Sequence, residues 1–177
     1  AEGVTGWCRT MMTLPEEPLL KSVRAVRDFV RPEDGAKIAG IHLEGPFLSH
    51  EKRGAQNPEF LRKPDMGLFR RLNEACSGQI RLITVAPELE NAMEFIQEVS
   101  SECAVSLGHT ACDYETARRA FDAGADHVTH LFNGMNGLHH RSPGLVGAAL
   151  EGEAFVELIT DGLHVHPAVV RQTQKLA

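Results

Sequence analysis

Apolar segments rich in β-branched residues alternate with amphipathic segments along almost the whole chain. The apolar segments predict six strands, over residues 3–13, 36–47, 79–88, 104–110, 127–133 and 154–164. The amphipathic segments predict the helices that follow these strands, over residues 15–30, 58–78, 91–103, 113–125, 143–152 and 166–177. Strict alternation of strands and helices predicts a parallel sheet that is covered by helices.

Two architectures fit six such units, namely an open doubly wound sheet and a closed (β/α)8 barrel. No glycine-rich dinucleotide fingerprint follows the first strand, which counts against the open sheet. The predicted strands end in polar residues, and these are Glu44, Glu88, His109, His130, Asp161 and His164. Barrel active sites are built at that end of the strands. We therefore predict an α/β fold, a partial (β/α)8 TIM-type barrel with about six of the eight units, and one incomplete catalytic-barrel domain over residues 1–177.

The composition is that of an ordinary globular protein, with 42% hydrophobic residues, 24% charged residues and a formal net charge of −6. No block of lysine and arginine is present, so we expect neither a nucleic-acid partner nor a membrane partner. The cysteines lack paired CxxC spacing and indicate reduced, mostly buried thiols at Cys8, Cys76, Cys103 and Cys112. This cysteine pattern predicts a cytoplasmic location.

Three of the strand-end groups have the chemistry of a catalytic metal site. Taken singly, Glu44, His109 and His130 are each explained at least as well by a structural hydrogen bond. Together, one carboxylate and two imidazoles, each at a separate strand end, suit a His2Glu site with a fourth position open. We expect one divalent metal ion, Zn2+ or a similar ion such as Fe2+, Co2+ or Mn2+, because nitrogen and oxygen ligands do not choose sharply among them.

Longer motifs in the same regions resemble N-acetylglucosamine-6-phosphate deacetylase, of the metal-dependent amidohydrolase superfamily. They are IHLEGPFLS (41–49), VSLGHTACDYETA (105–117), THLFNGM (129–135), HRSPGLVGAALE (140–151) and DGLHVHP (161–167). The resemblance implies a (β/α)8 barrel that hydrolyses the acetamide of N-acetylglucosamine 6-phosphate to glucosamine 6-phosphate and acetate. It also implies a small sugar phosphate as substrate and a homodimer for the full-length protein.

The resemblance assigns site residues position by position. It makes Glu44, His109 and His130 the metal ligands, which is the trio reached above from strand ends. It also implies that the sugar is contacted by Ala55 and Gln56. The phosphate would be bound by Asn133, by Gly134 and by Arg141 of the neighbouring subunit. A further substrate-binding segment would consist of Asp161, Gly162, Leu163 and His164. Gln56 stands where many members have histidine, and Gly134 where alanine is usual. His139 and His140 receive no role.

The resemblance runs from about residue 3 to residue 177 and matches strands two to seven of the family barrel. In that family the general base is an aspartate after the eighth strand, so we expect it beyond residue 177 and assign no catalytic residue within this chain. We read the chain as a fragment without the first and last strands or the small β domain, inactive alone. Two alternatives stay open: a truncated chain that at most binds metal or sugar phosphate, and an amidohydrolase acting on a different amide.

Overall fold

The computed structural model describes residues 4–176, in which six parallel strands form one sheet whose strand order follows the chain. The strands are β1 (Gly6–Met11), β2 (Lys37–Glu44), β3 (Ile80–Val85), β4 (Ala104–Leu107), β5 (His127–Val128) and β6 (Phe155–Val156). The helices are α1 (Glu16–Arg27), α2 (Met66–Ala75), α3 (Ala92–Val99), α4 (Tyr114–Asp122), α5 (Gly144–Glu151) and α6 (Pro167–Leu176). The sheet curls into about half of a barrel, which confirms the predicted partial (β/α)8 fold. Gly3 and Ala177, where the first predicted strand begins and the last predicted helix ends, lie outside the described residues.

The hydrophobic core joins the sheet to the helices that cover it. In β2, Ile41 and Leu43 are buried and belong to the same cluster as Leu19 of α1 and Phe69 of α2. Full burial of each such side chain stabilises the fold by roughly 1.5–3 kcal/mol. Successive side chains of a strand point to opposite faces, so the strand residues between these core positions face the inside of the curled sheet.

The helix predicted within residues 58–78 occupies only the second half of that segment. A short 3-10 helix (Pro58–Phe60) is followed by extended chain, and α2 begins only at Met66. Pro64 explains the break, because proline has no N–H for a helix interior and restrains the residue before it to extended conformations. Asp65 then caps α2, since its carboxylate accepts a hydrogen bond from the N–H of Leu68 at 3.1 Å.

The last two predicted strands are much shorter than expected, with two residues each instead of seven and eleven. After β5 the backbone turns at His130 and Phe132, whose φ angles are 35° and 78°. Left-handed residues cannot continue a parallel ladder, so β5 ends before its polar residues. Beyond Val156, pairing reduces to single contacts such as the N–H of Leu131 donating to the carbonyl oxygen of Glu157 at 2.7 Å.

The four cysteines are all unpaired, and three of them are at least partly buried, at Cys76, Cys103 and Cys112. Burial raises the pKa of Cys103 and Cys112 to about 12, so both thiols stay protonated at neutral pH. Cys8 is exposed because it lies on β1, which pairs with β2 on one side only. Among residues 4–176, no helix combines the length and the apolar character needed to cross a membrane.

Candidate metal centre

Three side-chain atoms converge at the carboxyl ends of β2, β4 and β5. Oε1 of Glu44 lies 2.8 Å from Nε2 of His109 and 3.3 Å from Nε2 of His130, and the two Nε2 atoms are 3.0 Å apart. Glu44 is the last residue of β2, His109 lies two residues beyond β4, and His130 lies two residues beyond β5. The structure therefore brings together the three residues that strand ends and the family resemblance both indicated.

Both histidines have left-handed backbones, with φ angles of 48° at His109 and 35° at His130. Non-glycine residues rarely adopt this conformation, which costs on the order of 1–3 kcal/mol at each position. Strain of this kind persists where the surrounding structure imposes it and is concentrated at functional sites. The two turns place both imidazoles immediately beyond the last residues of the parallel ladder.

A backbone carbonyl determines the protonation of His109. Nδ1 of His109 lies 2.9 Å from the carbonyl oxygen of Lys52. A carbonyl oxygen can only accept a hydrogen bond, so Nδ1 carries the proton. In the neutral ring, Nε2 then presents a lone pair towards the carboxylate of Glu44. A proton on Nε2 would make this contact a charged hydrogen bond, and a metal ion bound by both atoms would take the place of that proton.

The electrostatics of the cluster also favour a bound cation. Hydrogen bonds from His109 and His130 hold the pKa of Glu44 well below its usual range, so this carboxylate is charged at neutral pH. Burial is the largest single influence and opposes the charged form of His130, but the hydrogen bond to Glu44, the charge of Glu44 and backbone hydrogen bonds together outweigh it and raise the pKa of His130. Its other nitrogen, Nδ1, is buried without a hydrogen-bond partner among residues 4–176.

The donor set fits a divalent first-row metal. One ligand atom from each of the three residues lies within 4.8 Å of the other two. Zinc bonds of about 2.0–2.1 Å in tetrahedral geometry place ligand atoms about 3.3 Å apart, slightly more than the spacing within this cluster. Three protein ligands leave a fourth position for water or substrate, as in catalytic zinc sites. The arrangement can therefore hold a metal ion and present it to a ligand.

The loop after β2 contacts the cluster through its backbone. A Cβ atom added to Gly54 would lie 3.5 Å from Cε1 of His109, so this loop packs directly against the imidazole. Ala55 is exposed, whereas Gln56 is buried, and its Oε1 accepts a hydrogen bond from the N–H of Thr13 at 2.8 Å. The side-chain carbonyl of Gln56 is thus already bonded, which leaves its NH2 group to donate to a ligand.

Asn133 and Gly134 form a tight turn beside the same imidazole. The N–H of Asn133 donates to the carbonyl oxygen of His130 at 2.9 Å, and the carbonyl oxygen of Gly134 accepts from Thr110 at 3.0 Å. Gly134 has a φ of 61°, and a Cβ atom there would lie 3.1 Å from Nδ1 of His109. Arg141 lies seven residues further on, exposed in the loop that leads to α5.

The segment after β6 is a separately organised turn. Oδ1 of Asp161 accepts hydrogen bonds from the N–H groups of Leu163 and His164, each at 2.9 Å. Oδ2 of Asp161 lies 2.7 Å from Nδ1 of His164. These backbone and side-chain hydrogen bonds lower the pKa of Asp161 to about 2. Gly162 provides the left-handed residue of the turn, Leu163 is exposed, and His164 is held in one orientation.

Sequence reasoning missed the groups that support the cluster from behind. A buried histidine, His42, lies two residues before Glu44 in β2 and therefore on the same face of the strand. The spacing of two residues between His42 and Glu44 within a predicted strand could have indicated that both side chains face the site. Of the polar strand ends, Glu88 has a local structural role, because it accepts hydrogen bonds from Thr110 and from the N–H of Ala111. The contact between Lys52 and His109 has no side-chain signature, since it uses a backbone oxygen.

The fold and the site together define a class, a parallel α/β barrel protein with a His2Glu candidate metal centre at its strand ends. Comparison with known proteins identifies the relatives. The chain is 39% identical to N-acetylglucosamine-6-phosphate deacetylase of Bacillus subtilis, over 96% of the chain and 44% of that protein. It is also 39% identical to N-acetylgalactosamine-6-phosphate deacetylase of Escherichia coli O157:H7, over 96% of the chain and 46% of that protein. No family model matches the chain.

Solved structures give the same result. N-acetyl-D-glucosamine-6-phosphate deacetylase of Mycobacterium smegmatis superposes with a TM-score of 0.92 at 39% identity, over 99% of this chain and 46% of that one. A mutant of that enzyme has been solved in complex with N-acetyl-D-glucosamine-6-phosphate. The resemblance to N-acetylglucosamine-6-phosphate deacetylases is thereby confirmed. The chain is homologous to them along almost its entire length and spans a little under half of theirs.

Proposed function

We propose that this chain supplies the metal-binding and substrate-binding part of an N-acetylglucosamine-6-phosphate deacetylase. The reaction is hydrolysis of the substrate's acetamide to glucosamine 6-phosphate and acetate. The observation that carries the proposal is the convergence of Glu44, His109 and His130 at strand ends of a chain homologous to such deacetylases. These residues would hold one divalent ion, Zn2+ or alternatively Fe2+, Co2+ or Mn2+.

The protonation, charge and burial of the three candidate ligands suit this chemistry. A divalent ion bound there would supply Lewis acidity towards the acetamide carbonyl. The carbonyl of Lys52 keeps a proton on Nδ1 of His109, so that Nε2 is the ring nitrogen whose lone pair can bind the metal ion. Glu44 contributes a full negative charge because its pKa is depressed. Burial of His109, which is 6% exposed, limits competition from water at that ligand.

The substrate's phosphate would bind the loop that follows His130. The backbone N–H of Gly134 and the side-chain NH2 group of Asn133 would donate to it, and a guanidinium matches two phosphate oxygens at once. We assign the guanidinium to Arg141. The resemblance brings it from a neighbouring subunit, so we propose a homodimer for the whole protein. The cytoplasm is the proposed location, because all four cysteines are unpaired.

The sugar would be held by the two other predicted segments. Ala55 and Gln56 directly follow Gly54, which packs against His109, and the NH2 group of Gln56 would be the donor to the sugar. The turn from Asp161 to His164, with Gly162 and Leu163 between them, presents the imidazole of His164. Since Nδ1 of His164 bonds to Asp161, its Nε2 atom is the one directed to a ligand.

Calorimetry on the purified chain tests the proposal. Zn2+ or Co2+ is titrated first, and N-acetylglucosamine 6-phosphate and unphosphorylated N-acetylglucosamine are then compared. We expect metal binding that Glu44→Gln abolishes, and tighter binding of the phosphorylated sugar than of the unphosphorylated one.

An acetate-release assay distinguishes an enzyme from a binding protein. Because loss of a general base costs on the order of 10²–10⁴-fold, we expect the chain alone to release acetate at under about a thousandth of a full-length relative's rate. Absence of both metal and sugar phosphate binding would refute the proposal.

A second candidate substrate is N-acetylgalactosamine 6-phosphate. It is favoured by one observation, the 39% identity to a deacetylase of that name, which equals the identity to the N-acetylglucosamine-6-phosphate enzyme. The two sugars differ only in the configuration at C4. Competition between them for the metal-loaded chain ranks the candidates, and tighter binding of the galactosamine form would make it the preferred substrate.

A further inference from the structure

Behind the candidate metal centre lies a continuous chain of buried side-chain hydrogen bonds. Nε2 of His42 is 2.7 Å from Oγ1 of Thr84, which is 2.8 Å from Oγ1 of Thr129, which in turn is 2.6 Å from Oγ of Ser106. All four side chains are buried, with exposures between 0% and 6%. We call these four residues the hydroxyl network.

Each candidate ligand has a member of this network a few residues before it in the chain, and Thr84 is paired in register with one of the ligands. Thr129 is bonded directly to His130 in the chain. His42 lies two residues before Glu44, on the same face of β2, and Thr84 of β3 pairs in register with Glu44. Ser106 of β4 lies three residues before His109. The network therefore forms a layer of the inner sheet face, immediately below the three candidate ligands.

The hydroxyl network leaves no room for a side chain at Gly108. The hydrogen bond between Thr84 and Thr129 crosses over β4, which lies between β3 and β5 in the sheet. A Cβ atom on Gly108 would lie 2.9 Å from Cγ2 of Thr84 and 3.0 Å from Cβ of Thr129. Any side chain there would push the two threonines apart. Gly108 also immediately precedes His109, so the crossing point adjoins a candidate ligand.

Packing alone does not explain why the four residues of the hydroxyl network are polar. Barrel interiors are dominated by branched apolar side chains, and valine has nearly the shape of threonine. A buried hydroxyl without a partner is costly, but here each hydroxyl has one. If Ser106 donates to Thr129, Thr129 to Thr84, and Thr84 to His42, every hydroxyl proton is used once. A fully satisfied buried network holds its members in one arrangement more strictly than apolar contacts do.

We propose that the hydroxyl network positions the three candidate ligands at the spacing that a divalent cation requires. This inference rests on the proposed metal centre and deepens it. The network includes none of the three candidate ligands, so we assign its members a positioning role rather than a catalytic one. Groups that orient metal ligands from behind typically change metal affinity by about 10–100-fold when they are removed. A role in packing alone would lower stability and leave the affinity of the folded protein unchanged.

The test compares Thr84→Val with Thr84→Ser in the 177-residue chain. Valine keeps the shape of the side chain and removes the hydroxyl, whereas serine keeps the hydroxyl. Co2+ binding is measured by calorimetry, its visible absorption band reports the coordination geometry, and thermal unfolding without metal reports stability. We expect Thr84→Val to weaken Co2+ binding by about 10-fold or more and to alter the absorption band. Thr84→Ser should restore most of the affinity.

Thr173→Val is the matched control. Thr173 is also buried, but its hydroxyl donates to the carbonyl oxygen of Val169 within α6, away from the network. This variant should lower the unfolding temperature and leave Co2+ affinity unchanged. If Thr84→Val fails to fold, Ser106→Ala at the end of the network replaces it, with the same expected loss of affinity.

The possible outcomes separate the two proposals. Co2+ affinity and absorption that are the same in the folded Thr84→Val or Ser106→Ala variant as in the unsubstituted chain would overturn the positioning role, even if stability falls. An equal loss of affinity in Thr84→Val and Thr84→Ser would also overturn it, because serine keeps the hydroxyl. Failure of the unsubstituted chain to bind Co2+ or Zn2+ would instead contradict the metal centre itself.

Discussion

Nε2 of His109 lies 2.8 Å from Oε1 of Glu44, although 65 residues separate the two in the sequence. The carbonyl of Lys52 holds a proton on Nδ1 of His109, so Nε2 is the atom that faces the carboxylate. A contact this short needs a positive charge between its two atoms, either a proton on Nε2 or a metal ion. The relationship therefore links a feature of the fold, parallel strand ends that meet at one edge, to a definite chemical requirement.

Replacement of His130 by alanine removes one of the three candidate ligand atoms. We expect His130→Ala to lower the affinity for Zn2+ by about 100-fold or more, since two ligands remain of the three that such a site uses. Elemental analysis after dialysis and calorimetric titration measure the loss. His140→Ala is the control, because His140 is exposed in the loop beyond Asn133 and should have no effect. Unchanged metal content in His130→Ala would refute the ligand assignment.

The order of strands and helices and the type of sheet could be predicted from the sequence. Alternating apolar and amphipathic segments predicted the parallel sheet, and polar residues at strand ends predicted that Glu44, His109 and His130 would meet. Both inferences depend on local periodicity and on a general rule of barrel geometry. The break before α2 could have been anticipated from Pro64, whose effect on a helix is also local.

The remaining features depend on contacts between distant segments, which periodicity does not encode. Nothing in the sequence around Lys52 indicates that its carbonyl oxygen fixes the tautomer of His109. Similarly, β5 ends early because His130 has a left-handed backbone, a conformation that only a few per cent of non-glycine residues adopt and that local sequence did not indicate here. The roles of the predicted substrate residues remain predictions, which the following experiments address.

Replacement of Arg141 by alanine tests the proposed phosphate contact. A charge-assisted hydrogen bond to phosphate contributes about 1.5–3 kcal/mol, so Arg141→Ala should weaken binding of N-acetylglucosamine 6-phosphate by about 10–100-fold. Binding of unphosphorylated N-acetylglucosamine should change little. Arg31→Ala serves as the control, since Arg31 is an exposed arginine in the loop before β2, at the opposite end of the strands. Equal losses for both sugars would contradict a phosphate role.

Asp161 is expected to act on the substrate through His164. Nδ1 of His164 is bonded to Asp161, so its Nε2 atom is the one left to form a hydrogen bond with a sugar hydroxyl. Asp161→Ala removes this bond and both backbone contacts, so we expect about 10-fold weaker binding of the sugar phosphate. Asp161→Asn retains an acceptor for Leu163 and His164 and should have a smaller effect. Zn2+ affinity should be unchanged in both variants, and a loss of metal instead of sugar binding would disprove this role.

His42 should make the stability of the metal-free chain dependent on pH. Burial lowers the pKa of His42 from 6.5 to about 4. Between those values the unfolded chain binds a proton that the folded chain does not, so the free energy of unfolding falls as the pH is lowered. Each pH unit in that window costs up to about 1.4 kcal/mol. We expect a total loss of about 1–3 kcal/mol from this residue between pH 6.5 and pH 4.

The contribution of His42 can be isolated by comparing the unsubstituted chain with His42→Gln. Glutamine can accept the hydrogen bond from Thr84 but does not titrate. Urea unfolding in the presence of a chelator, from pH 7 to pH 4, should show a shallower decline in the variant. His130 contributes with the opposite sign, because its raised pKa adds stability below 6.5 that is lost as the pH rises through the folded-state pKa. That contribution is present in both proteins and cancels in the difference. Parallel pH profiles for the two proteins would show that His42 is not held neutral by the fold.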